Sequence, residues 1–167
     1  FNTVYMVKQK VIALVDCDSF FVSCEQKRNP ELKNKPVCVL SNPEGCVISR
    51  SKEAKQMGVR MGEPYFMAKK EHAKAIYPVA DHEYYGLVSH QVMSVLQDFS
   101  PYVQVYSVDE AFVDLTGLQR LYKKNYYELA QMLRQRVLDE VDIPVSIGIS
   151  SSKTLAKLAS DKAKNVE

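Results

Sequence analysis

The chain has almost no charge excess. Among 167 residues, 22 Lys and Arg stand against 20 Asp and Glu, a formal net charge of +2. Total charge therefore does not announce a polyanionic partner, and any basic surface must be local. One local surface is present in SKTLAKLASDKAKNVE, where Lys153, Lys157, Lys162 and Lys164 meet only two acids, Asp161 and Glu167. The four cysteines, Cys17, Cys24, Cys38 and Cys46, include no CxxC pair and have no histidine nearby, which argues against a zinc site. They lie in or near apolar runs, as reduced core thiols of a cytoplasmic protein do. No apolar run reaches the ~18 residues of a membrane span. The opening FNTVYMVKQK lacks the apolar core of a secretory leader, and it starts on Phe, as a trimmed chain would. Internal repeats and low-complexity linkers are also missing. What remains is ordinary globular composition, 46% hydrophobic and 25% charged, enough for one domain or two small ones.

Apolar periodicity predicts alternating strands and helices. VIALV (11–15) reads as a buried strand, and residues 18–27 as a helix with Asp18 as its N-cap. The proline-marked segment 29–36 is a loop. VCVL (37–40) and CVISR (46–50) are strands joined by the turn SNPEG (41–45). Residues 51–58 form a helix capped by Ser51 and stopped by Gly58, and another starts in 62–71 with Pro64 early in it. KAIYPV (74–79) has strand character. A long helix over 83–99 carries Tyr84, Leu87, Val88, Val92, Val95 and Leu96 at near-helical spacing. Two β-rich arms, 103–108 and 111–115, flank Asp109 and Glu110 as a hairpin with an acidic tip. A helix over 125–141 groups Leu129, Met132, Leu133 and Val137, a strand covers 144–150, and a last helix covers 152–164.

With residues 20–81 set aside, the order is strand, helix, strand, strand, helix, strand. That is the ferredoxin-like β-α-β-β-α-β arrangement of the α+β class. The first and second strands are expected side by side at the sheet centre, bringing Asp16 and the hairpin acids to one edge. An acidic hairpin tip alone is ordinary, because turns favour Asp. Three converging carboxylates are less so, since like charges that close repel unless a cation neutralises them. Hard oxygen donors suit Mg²⁺ or Mn²⁺. Two such ions roughly 3.5–4 Å apart stabilise the attacking and leaving oxygens of a phosphoryl transfer.

The stretches VDCDSFFVSCE, YSVDEAFVDLTG and SIGISSSKTLAKLASDKAK resemble the catalytic-core motifs of the Y-family translesion DNA polymerases. KPVCVLSNPEGCVISRSKEAKQMGVRMGEPYF (35–66) resembles the fingers of that family, closest to its UmuC-like branch. The resemblance runs in order from about residue 11 to 164. It implies a ferredoxin-like palm with an inserted small α/β fingers domain. Residues 1–19 would be an N-terminal segment with the first palm strand, 20–81 the fingers, and 82–167 the rest of the palm, with thumb and little finger absent. The implied reaction is template-directed transfer of a deoxynucleotide to a primer 3′-hydroxyl in damage tolerance, weak or lost in so short a chain.

By the same resemblance Asp16 and Asp109 bind both metals, Glu110 holds the one that activates the primer, and Cys17 lends a backbone carbonyl. Asp18, the second acid of the motif, is expected to cap its helix rather than bind metal. Phe21 matches the steric gate that refuses a 2′-hydroxyl, and Phe20 packs into the core. Ser49, Lys55 and Lys164 match triphosphate contacts; Lys52 and Lys55 replace the tyrosine and arginine common in relatives. Ser107 and Lys157 are candidate primer contacts. Implied partners are primer-template DNA and dNTP, and in a full-length chain a sliding clamp, an accessory subunit and a recombinase filament. Two other classes fit less well. Nucleotidyl cyclases share the palm but carry a GGDEF-type tip, and a scaffold that had lost catalysis would be expected to lack one of the acids.

Overall fold

The computed structural model describes residues 3–4, 9–151, 157 and 161. The described elements, in chain order, are β1 (Ile12–Cys17), α1 (Phe20–Arg28), a 3-10 turn (Pro30–Leu32) inside the expected loop, β2 (Cys38–Leu40), β3 (Val47–Arg50), α2 (Lys52–Met57), α3 (Tyr65–Glu71), α4 (His82–Phe99), β4 (Val103–Ser107), β5 (Glu110–Asp114), α5 (Leu118–Tyr122), α6 (Tyr126–Val141) and β6 (Val145–Ser150). The chain divides into two units. One comprises 1–16, 93–140 and 145–167; the other comprises 17–92 and 141–144. Among the described residues no helix is long and apolar enough to cross a membrane.

The first unit holds a four-stranded sheet in the order β4-β5-β1-β6. This is the ferredoxin-like order, with one correction to the expected neighbours. β1 pairs with β5, the second arm of the hairpin, and not with β4. The reason is geometric. Strands joined by a crossover run parallel, so β1 and β4 leave a slot between them that only the antiparallel β5 can fill. All six residues of β1 are buried, as its continuous apolar run demands. β4 sits at the edge and is mostly exposed. The alternation of side chains puts Ile12, Leu14 and Asp16 on one face, opposite Asp114, Phe112 and Glu110. Ile12, Leu14 and Phe112 form an apolar cluster there. In α6, Leu129, Leu133 and Val137 recur every fourth residue and are wholly buried, each leucine worth about 1.5–3 kcal/mol of apolar burial. Met132 is only half-buried.

The second unit is built around the β2–β3 hairpin, in register Cys38↔Arg50 and Val39↔Ser49. Its turn closes tightly: Ser41 Oγ accepts from Cys46 N at 3.1 Å, and a Cβ on Gly45 would collide with that hydroxyl. Cys38, Leu40, Val47, Ala54, Val59, Ala68 and Ala75 form the core, with Tyr65 and Tyr77 packed against it. α2 starts and stops where its residues dictate. Ser51 Oγ accepts from Ala54 N, and Gly58 (φ 97°) turns the chain left-handed while its N–H closes on Ala54 and Lys55 carbonyls. The strand expected over 74–79 is instead two isolated parallel bridges, from Ile76 to Val37 just before β2 and from Val79 to Leu40 of β2. Pro78 has no N–H and cannot extend the ladder.

Three other expectations need correction. The helix cap falls to Ser19, in a left-handed conformation (φ 40°), and not to Asp18; α1 begins at Phe20. β1 extends through Asp16 and Cys17, so the acid lies inside the strand rather than after it. On α4 the buried face includes Tyr85, 1% exposed, whereas Leu87 is 63% exposed. α5, which follows Gly117 (φ 81°), was not foreseen. Most of the helix expected over 152–164 lies outside the described residues; Lys157 and Asp161 are described and helical.

Burial also separates the four cysteines. Burial pushes the Cys24 thiol up to about 12 and the Cys38 thiol up to about 11. Cys17 is buried too, and Cys46 is the half-buried one. Because the thiolate is the nucleophile, brief alkylation of the native chain at pH 8 should label Cys46 first. Peptide mass spectrometry showing Cys24 or Cys38 modified earlier would contradict this.

Candidate metal centre

Asp16 is 5% exposed near the end of β1. Across the ladder its partner is Glu110, the first residue of β5. The hairpin tip is therefore one residue earlier than the sequence suggested. Only Val108 and Asp109 separate β4 from β5, and Glu110 belongs to the strand. Two-residue hairpins favour types I′ and II′, which need positive φ at one or both turn positions, yet neither residue has it. The register shift between Val105 and Ser107 supplies the extra twist instead. Ser107 Oγ donates to Asp109 Oδ1 at 2.9 Å and so orients that carboxylate.

The result is that one carboxylate oxygen from each of Asp16, Asp109 and Glu110 lies within 4.8 Å of the others. Lys157 Nζ reaches both oxygens of Glu110, at 3.2 and 3.3 Å. Desolvation opposes the lysine's charge, but the hydrogen bond to Glu110 and the charges of Glu110, Asp161 and Asp16 outweigh it and raise its pKa. Among the described residues, Lys157 sets one positive charge beside three carboxylates. The donor set is all hard oxygen, held by strand register and a two-residue turn, and it fits a divalent cation of the Mg²⁺ or Mn²⁺ kind. Lys157, expected to face a primer, is engaged with Glu110, and Ser107 is engaged with Asp109. Cys17 is the buried last residue of β1.

Of the other expected site residues, Phe21, Ser49 and Lys55 lie in the second unit. Phe20 is 4% exposed and belongs to the core, while Phe21 is half-buried. The Phe21 ring stacks on Tyr85 with centroids 4.8 Å apart and planes at 18°, and His82 meets it edge-on at 5.4 Å. Ser49 Oγ, buried in β3, accepts from Val22 N at 3.3 Å in the first turn of α1. Lys55 and Lys52 are exposed on α2. Lys164 lies outside the described residues. Sequence reasoning missed Tyr85 and the buried Glu25 that receives its hydroxyl. A charged residue in SCEQKR carries no mark of burial, and the adjacent Tyr84 fits the helical spacing equally well.

Residues 15–161 match the model of the impB/mucB/samB family. The chain is 42% identical over 156 residues to the UmuC protein of Salmonella typhimurium, covering 92% of this chain and 36% of that protein. It is 41% identical over 152 residues to DNA polymerase IV of Dehalococcoides mccartyi, covering 90% of this chain and 39% of that one. The chain thus spans little more than a third of these relatives. Among solved structures, an insertion ternary complex of Dbh DNA polymerase superposes with a TM-score of 0.82 at 31% identity, over 91% of this chain and 46% of that one. DinB from Sulfolobus solfataricus gives 0.81 at 32% identity, over 91% and 45%. By sequence and by fold, the chain belongs to the impB/mucB/samB family of Y-family DNA polymerases.

Proposed function

We propose that this chain is the catalytic core of a translesion DNA polymerase, adding a deoxynucleotide to a primer 3′-hydroxyl under template direction. The observation that carries this reading is the meeting of Asp16, Asp109 and Glu110 within 4.8 Å. In it, residues 20–81 serve as fingers, and 1–19 with 82–167 serve as the palm. Asp16, Asp109 and Glu110 would hold two Mg²⁺ ions, or Mn²⁺, with Cys17 adding its carbonyl. Bound there, the ions would lower the pKa of the primer hydroxyl and neutralise charge on the phosphates. The carboxylates themselves fix where that charge sits, and Ser107 keeps Asp109 turned inward. Lys157 balances Glu110 until substrate arrives and then becomes available to primer phosphate. Phe21 refuses a 2′-hydroxyl. Ser49, Lys55 and Lys164 are the triphosphate donors. Primer-template DNA and dNTP are the substrates; a clamp, an accessory subunit and a recombinase filament are the partners the UmuC relationship suggests.

Primer extension by the full-length chain tests this. Extension should require template and a divalent cation, stop on chelation, and be lost in Asp109→Ala and Glu110→Ala. Undiminished extension in both variants would sink the site assignment.

A further inference from the structure

Among the described residues, the proposed mechanism leaves two buried carboxylates without a role: Glu63, which accepts from Arg60 N beside it, and Glu25. Glu25 sits in α1 at 5% exposure. Its carboxylate accepts from the Tyr85 hydroxyl at 2.8 Å and from Arg28 Nη2 at 2.6 and 2.9 Å. Arg28 goes on to Asp81 at 2.7 Å, and its guanidinium lies 4.5 Å from the centre of the Tyr84 ring. Asp81 in turn holds the start of α4, accepting from Tyr84 N on Oδ1 and from Tyr85 N on its carbonyl. A single carboxylate thus joins α1 to the first turn of α4, all within the second unit.

Glu25 lies four residues after Phe21 on α1, so both occupy one face of that helix. Tyr85 answers both. Its ring carries the Phe21 ring, and its hydroxyl is held by Glu25. A stacked pair alone resists sliding and tilting weakly. Tethering the far end of Tyr85 fixes the plane on which Phe21 rests. An apolar contact of similar volume would join the two helices without the cost of burying the Glu25 carboxylate, but it would not set that plane. Burial and the hydrogen bond to Glu25 raise the Tyr85 phenol, so it remains a protonated donor. The hydrogen bonds to Glu25 and Asp81 likewise raise the Arg28 guanidinium.

We propose that Glu25 is a positioning residue for sugar selection: it anchors Tyr85, and Tyr85 holds Phe21 in the plane that excludes a 2′-hydroxyl. This rests on the reading of Phe21 as the sugar gate. The test is single-nucleotide insertion by the full-length chain, comparing kcat and KM for a dNTP and its matching rNTP. Tyr85→Phe keeps the ring and removes the anchor; Glu25→Gln keeps the shape and removes the charge. Each should lower the dNTP/rNTP preference about tenfold, the loss of one hydrogen bond to a charged group, mainly through a lower KM for the rNTP. A purely structural role would depress both nucleotides together and leave the ratio unmoved. An unchanged ratio in Tyr85→Phe, when Phe21→Ala lowers it, would overturn the proposal; that variant stands alone if Glu25→Gln fails to fold. An unchanged ratio in Phe21→Ala itself would remove the gate reading and this inference with it.

Discussion

Asp16→Asn should cost about three orders of magnitude in nucleotidyl transfer and yet make the metal-free chain more stable. The first effect follows from losing one of three charges that would hold the ions, since metal stabilisation of a phosphoryl-transfer transition state is worth several kcal/mol and each ~1.4 kcal/mol is tenfold in rate. The second follows from the geometry without metal. The three carboxylates stand within 4.8 Å, with Lys157 as a half-exposed counter-charge. A like pair at that range costs about 3.5 kcal/mol at an effective dielectric of 20. The lysine offsets much of this, although solvent screens it. Removing one charge should leave a net gain on the order of 1 kcal/mol, or a few degrees of melting temperature for a chain of this size. Asparagine has the shape of aspartate and keeps an acceptor, so packing around β1 is preserved. Added Mg²⁺ should raise the melting temperature of the native chain and leave that of Asp16→Asn unmoved. Thermal melts with and without Mg²⁺ decide it: an equal metal response in both proteins would refute the assignment of Asp16 as a ligand.

Phe21→Ala should reduce the preference for deoxynucleotides by roughly a hundredfold, the scale on which a shaped pocket can reject a single hydroxyl. The ring is half-buried, flat against Tyr85 and bordered by His82. Nothing in that arrangement donates or accepts a hydrogen bond through Phe21, so its contribution to selection is volume alone. Phe21→Leu, which keeps bulk but not flatness, should fall between the two. Steady-state insertion of matched dNTP and rNTP opposite one template base measures the ratio. A ratio within twofold of the native chain's would show that Phe21 does not select the sugar.

Where local chemistry decides structure, the sequence was legible. Ser51 and Gly58 bounded α2 because caps act within one turn. The apolar run VIALV identified a buried strand, and the arms around Asp109 identified a hairpin. These were enough to bring the three acids together in outline. What could not be read depended on distant partners. Asp18 is a better capping residue than average, but the backbone turns left-handed at Ser19, and the chain enters α1 one residue later. Tyr84 and Tyr85 are equal in the sequence; partners about sixty residues away, Glu25 and Phe21, distinguish Tyr85. The neighbour of β1 depended on which slot a crossover leaves open. Lys157 reads as a primer contact in the sequence because its partner Glu110 stands 47 residues away on β5.

The borrowed cap on α1 has a consequence for how the second unit opens. Ser19 places no side-chain oxygen on the first turn of α1; the oxygen that reaches Val22 N comes from Ser49, 27 positions along the chain. An uncapped first turn is the weakest part of a short helix. The turn that carries Phe21 is therefore as rigid as β3 allows. With Phe21 read as the sugar gate, fraying of the hairpin should loosen the gate as well, and amide exchange at Val22 is the measurement that reports it.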